Sequence, residues 1–112
     1  MRRTIRTYAN DKRLYIIIPK AICELLDLTR GMMIYALVKK KDLILSKKEV
    51  AEDDPKWDMV IHRELIQTGA NQSLSFIIPQ KIILLLNYYA GQEVDLRLKG
   101  NKMLYIVKLY GE

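Results

Sequence analysis

The sequence predicts a mainly β protein with short helices, built as two copies of one strand–strand–helix–strand–strand unit. Three observations predict it: an internal repeat, short β-branched strands bounded by turn residues, and an Ile-Pro step before a short amphipathic segment in each copy. Offset by 60 residues, the 112-residue chain overlays on itself without a gap. Ile17-Ile18-Pro19 falls on Ile77-Ile78-Pro79, and Ile22, Leu25 and Leu26 fall on Ile82, Leu85 and Leu86. Gly31 falls on Gly91, and Arg3, Lys39 and Lys48 fall on Arg63, Lys99 and Lys108. With Leu14 on Leu74, residues 3–48 thus hold eleven identities. Composition alone would give about three or four. Two copies of one supersecondary unit follow.

Each element has a local cause. Residues 4–9 form a strand carrying basic side chains, and Asn10-Asp11-Lys12-Arg13 a polar turn. Residues 14–18 are short, apolar and rich in β-branched residues, which marks a strand. Pro19 suits the first turn of a helix, where its missing N–H costs nothing. Ile22, Leu25 and Leu26 are spaced i, i+3, i+4 and make one apolar stripe. Gly31 ends the turn after the helix in a left-handed conformation. Residues 33–38 and 42–47 form a hairpin through the lysine-rich turn. The second copy repeats the pattern at 64–69, 73–78, 79–87, 93–99 and 102–109, with its hairpin turning at Gly100-Asn101. The chain divides into a basic repeat at 1–48, an acidic linker at 49–61 broken by Pro55, and a second repeat at 62–112. Trp57 is the residue able to pin the linker to a core.

The charge is uneven. The net charge is +6, but residues 1–50 carry twelve basic and five acidic side chains, +7, and residues 51–112 carry seven and eight, −1. A basic half points to a polyanion, nucleic acid before an anionic membrane. Lys39-Lys40-Lys41 and Lys47-Lys48 also fit a surface that only confers solubility, yet such a surface has no reason to stop at residue 50. The longest apolar run, Met32 to Val38, is seven residues, far short of a membrane helix. The N-terminus has charge with no apolar stretch behind it, so no signal peptide is expected. The single cysteine, Cys23, excludes an internal disulfide framework. A cytoplasmic protein is expected.

The segments Arg13-Leu14-Tyr15-Ile16-Ile17-Ile18-Pro19-Lys20 through Leu25-Leu26-Asp27-Leu28-Thr29-Arg30-Gly31, and Asn71-Gln72-Ser73 through Ile78-Pro79, Leu85-Leu86 and Gly91, resemble the AbrB/SpoVT/MazE swapped-hairpin family. The resemblance covers nearly the whole chain, in a two-unit arrangement like that of MraZ. It lacks MraZ's acidic-to-arginine motif, so a ring assembly is not expected. The resemblance implies small intertwined β-barrels of two ββαββ units, and DNA-binding dimers that act as transition-state regulators or antitoxins. It further implies arginines that approach DNA from the first strand and the turn after it, positions that match Arg6 and Arg13 when the turn is about two residues longer, as in archaeal members. The family's mid-helix arginines are absent, since Cys23 and Glu24 stand there.

The candidate DNA-binding residues are Arg3, Arg6, Asn10, Lys12, Arg13 and Lys20, expected around one loop-and-strand edge. Arginines bond phosphates or guanine edges bidentately, and lysines add point charge and counterion release. Asn10 either reaches a base or makes the turn, and Arg2 reads as a flexible arm. The second copy has Ile66, Gln72 and Ser73 where the first has Arg6, Lys12 and Arg13. Ile82-Ile83-Leu84-Leu85-Leu86, followed by Tyr88-Tyr89, is apolar almost all round and must be buried all round. Ile83, Leu84, Tyr88 and Tyr89 are therefore the candidate oligomer interface, in a dimer or larger assembly, the alternatives being a contact with the other repeat or a helix buried within its own barrel.

Catalytic and metal chemistry is not expected. His62 is the only histidine, expected to be exposed just before a strand, and no metal-ligand spacing involves it. Cys23 reads as a small core residue. The glycines form no phosphate loop, and Ser73, His62 and a linker aspartate carry no triad signature. No enzyme, no metal and no cofactor are expected. Three functions compete: a regulator that binds double-stranded DNA, an antitoxin with a toxin partner, and a protein–protein module that never touches nucleic acid. The sequence stops at Glu112 just after its last predicted strand, leaving no toxin-wrapping tail, which weighs against the antitoxin.

Overall fold

The computed structural model describes residues 1–7, 13–68, 73–100 and 102–109. The first copy contributes β1 (Arg2–Thr4), β2 (Arg6–Thr7), β3 (Leu14–Ile17), α1 (Lys20–Leu26), β4 (Met33–Lys39) and β5 (Asp42–Ser46). The second contributes β6 (Met59–Glu64), β7 (Ile66–Thr68), β8 (Ser73–Ile78), α2 (Gln80–Leu86), β9 (Glu93–Lys99) and β10 (Met103–Lys108). The structure is mainly β, in a six-stranded sheet ordered β1-β9-β10-β5-β4-β6 and a four-stranded sheet ordered β2-β3-β8-β7. No closed barrel is seen among the described residues.

The two copies pair with each other. β1 lies antiparallel on β9 with Arg3 opposite Val94, and β6 lies on β4 with Arg63 opposite Ile34. β3 pairs with β8 about the central couple Ile16 and Phe76, which stand at equivalent positions in the two copies. Both of these residues are fully buried. A pseudo-two-fold axis therefore runs through the middle of one chain.

The strand expected at 4–9 is in fact two, β1 and β2, hinged at buried Ile5. The hinge has a hydrogen-bonding cause. Ile5 N–H donates to the Gln92 carbonyl at 2.9 Å, and Gly91 N–H donates to the Ile5 carbonyl at 2.8 Å. Leu65 makes the equivalent pair with Met32 and Gly31, both at 2.9 Å. Residues 5 and 65 thus hand the chain from one sheet to the other. Gly31 and Gly91, at φ 82° and 89°, present the N–H groups in a backbone region that L side chains rarely adopt. This accounts for their identity in the repeat.

Both helices begin one residue later than expected. Pro19 and Pro79 are the residues before the first turn, with extended ψ of 143° and 142°, and their carbonyls accept the first helical bonds. Asp27 and Asn87 end the helices in the left-handed conformation, so Asn87 is a cap and not a helical residue. Leu28 N–H reaches back to the Cys23 carbonyl at 2.8 Å, and Tyr88 N–H to that of Ile83 at 3.2 Å, which closes each terminus. The Lys47 ammonium donates to the Leu26 carbonyl at 2.8 Å, and that of Lys108 donates to the Leu86 carbonyl.

That lysine pair corrects the alignment. Lys108 matches Lys47, not Lys48, so the offset is 61 beyond the second hairpin turn. The strand registers agree, with Lys39 opposite Asp42 in one hairpin and Lys99 opposite Met103 in the other. Asn101, expected to complete that turn, lies outside the described residues, as do Gly69 and Gln72.

The main core draws on both sheets and both helices, including Ile5, Ile16, Ile22, Leu45, Phe76, Ile82 and Leu104. A second cluster of Leu37, Ile44 and Val60 lies with Val50, Trp57, Met103 and Tyr105. Trp57 does pin the linker, which ends at Asp58 because β6 starts at Met59, earlier than the expected boundary. Asp58 N–H donates to the Val38 carbonyl at 2.7 Å, and its carboxylate accepts from the Lys40 N–H at 2.6 Å. With cover on both faces, Ala36-Leu37-Val38 and Leu43-Ile44-Leu45 are continuously buried, whereas β10 alternates.

Candidate nucleic-acid interface

The four-stranded sheet carries Arg6 on its edge strand β2, opposite Tyr15 in register and exposed. Thr7 pairs with Leu14, so Arg13 stands one residue beyond the last ladder pair among the described residues, exposed at the same edge. Short-range pairing between β2 and β3 thus brings these two guanidinium-bearing positions together. Asn10 and Lys12, expected between them, lie outside the described residues.

Arg3 is not on that edge. It belongs to β1 in the six-stranded sheet, half-buried, and its Nη1 donates to the Arg2 carbonyl at 2.7 Å. The hinge at Ile5 therefore divides the expected cluster between two sheets. Arg2 is no flexible arm, because it is a strand residue paired with Asp95. Asp95 accepts from Arg97 at 2.8 Å and from the Met1 ammonium at 3.0 Å, and these bonds hold its carboxyl below the usual carboxylate range. Lys20 is exposed at the first position of α1. The pseudo-symmetric edge is neutral: β7 begins with Ile66, and Ser73 is a half-buried ladder residue opposite Thr68.

The candidate interface on α2 divides as well. Leu84 is 68% exposed, whereas Ile83 is half-buried against the core. Tyr88 is only 4% exposed and lies within the chain's own core, so it offers no face to a second subunit, while Tyr89 is exposed. The helix expected to be buried all round is not. In seven residues only Ile82 and Leu86, i and i+4, point fully inward. Leu85 is 50% exposed and its equivalent Leu25 59%, so the i+3 residue assigned to the inner stripe is rotated out in both copies. Leu85 is thus an exposed residue that the stripe pattern concealed.

Cys23 packs against the core, its thiol donating weakly to the Ile18 carbonyl at 3.6 Å, and burial pushes its pKa up. Such a thiol is a poor nucleophile. His62 is exposed as expected, but within β6 and not ahead of a strand. Among the described residues no group of three His, Cys, Asp or Glu side chains is placed to hold a metal ion, and no helix is long and apolar enough to cross a membrane. No family model matches the chain, and neither a curated protein nor a solved structure matches it.

Proposed function

We propose that the chain is a DNA-binding transcriptional regulator of the AbrB type, in which one chain supplies both units of a swapped-hairpin pair. The observation that carries this reading is the difference between two edges of one duplicated fold. Equivalent backbone positions hold Arg6 and Arg13 in the first copy and Ile66 and Ser73 in the second. The second copy builds the equivalent strands β7 and β8 without arginine at those positions. The pairing of β1 on β9 and of β6 on β4 supports the swapped-hairpin part, and the resemblance of the repeated motif supports the class.

Two exposed arginines beside a sheet edge suit bidentate bonds to phosphate or guanine. Arg6→Ala and Arg13→Ala should each weaken duplex binding by about 1–3 kcal/mol where they contact bases, and less where they contact only phosphate. Melting temperature should barely move, because both side chains are exposed. Ser73→Ala should leave affinity unchanged. The proposal fails if Ser73→Ala costs as much as Arg13→Ala, or if the arginine double variant binds like wild type in an anisotropy titration.

A second reading concerns self-association. Leu84 and Leu85 of α2 and Tyr89 shortly after it are exposed apolar side chains, where the first copy has Glu24, Leu25 and Thr29. In this reading the units intertwine within one chain, so a dimer would rest on these exposed side chains.

A further inference from the structure

A groove of about 450 Å³ opens between β6 and the start of α2, lined by His62, Arg63, Gln80 and Lys81, with Glu52 of the linker along one side. Arg63 Nη1 donates to the His62 carbonyl at 2.8 Å, which ties the guanidinium to the wall. A guanidinium has five donors, so this bond leaves its fork able to meet another acceptor. The His62 ring rests on Tyr35, with centroids 5.7 Å apart, and its Nδ1 stands 3.8 Å from Glu52 Oε1. The groove therefore holds two permanent cations, an imidazole and a single carboxylate.

The repeat adds an independent observation. Sixty residues earlier, the same strand and helix start carry Arg2, Arg3 and Lys20. The charge at the β2–β3 edge is lost from the second copy, while the charge at this junction is retained, with the lysine moved from the first to the second helical position.

We propose that this groove is a phosphoryl-anion site, with Arg63 and Lys81 as its cationic donors and Glu52 as an intramolecular competitor that weakens binding. An arginine fork with a lysine point charge matches the geometry and charge of a phosphoryl group. That group comes either from a DNA backbone, in which case the proposal rests on the DNA-binding reading, or from a free phosphorylated compound, in which case it does not.

The full chain is titrated with pyrophosphate by calorimetry and with a short mixed-sequence duplex by anisotropy at several salt concentrations. Wild type, Glu52→Gln, Lys81→Gln and the Arg63→Ala/Lys81→Ala double variant are compared. The double variant should weaken pyrophosphate by about tenfold or more, or make the duplex salt slope less negative by about two. The first result alone identifies a free ligand and the second alone a backbone phosphate. Lys81→Gln should show the same effect at about half the size, which keeps the test valid if the double variant unfolds. Glu52→Gln should tighten whichever probe binds by about twofold to fivefold. A folded double variant that leaves both titrations at wild-type values overturns the site, and a Glu52→Gln protein that binds no tighter overturns the competitor. If wild type binds no duplex, the DNA-binding reading falls while the pyrophosphate titration still decides the groove.

Discussion

Lys40 shows how the two copies expose local cost. It has φ 57° in the first hairpin turn, where the second copy has Gly100 at φ 64°. A left-handed conformation costs an ordinary residue about 1 kcal/mol that glycine does not bear. Lys40→Gly should therefore raise stability by roughly 0.5–1 kcal/mol in denaturant titration. Tyr88 gives a second case, because its hydroxyl is buried with no hydrogen-bond partner among the described residues. Tyr88→Phe should be neutral or more stable by about 1 kcal/mol. Burial, and then the Asp42 carboxylate, push the phenol above its ordinary 10.0. The unfolded chain therefore releases this proton first. Stability is intact below pH 10 and is lost as pH climbs from there toward the folded value, by at most about 1.4 kcal/mol per pH unit. Above pH 10 the gap between Tyr88→Phe and wild type should widen in chemical denaturation, and a constant gap would count against this assignment.

At the scale of elements, most of the fold was legible. Short β-branched runs, Ile-Pro steps and the repeat place β3, β8, both helices and both hairpins, because those features depend on local backbone chemistry. The breaks at Ile5 and Leu65 were not legible. They depend on hydrogen bonds to Gln92 and Gly91, and to Met32 and Gly31, far away in the chain. The inner stripe of the helices was misread for a related reason: periodicity places Leu25 and Leu85 with the apolar set, and only packing shows that a seven-residue helix turns them out. For the candidate site, charge difference between copies singled out Arg6 and Arg13, while Arg63 and Lys81 were hidden because only their arrangement around one groove distinguishes them. The exposed apolar side chains of α2 have a direct test. Leu84→Lys with Leu85→Glu should convert an assembly into a folded 13.1 kDa species by light scattering, because neither side chain is in the core. A wild-type protein that already scatters at that mass would remove the case for association.

For the whole molecule, the basic half predicts steep salt dependence. If about six phosphates are neutralised, log K against log salt should have a slope near −5. A slope near zero on every duplex tested would assign the positive charge to another purpose.

The pairing of first-copy strands with second-copy strands also sets when the molecule can exist. β1 has its ladder partner in β9, and β3 has its long ladder partner in β8, so the two ends of these contacts are separated by half of the chain or more. Loop closure must precede any reward from such contacts, which makes folding slow for a chain of this size. During synthesis, the first copy leaves the ribosome with the apolar edge of β3 uncovered until the second copy follows. Translation speed across residues 49–99, rather than the stability of the finished fold, then decides how long that edge is open to neighbouring chains.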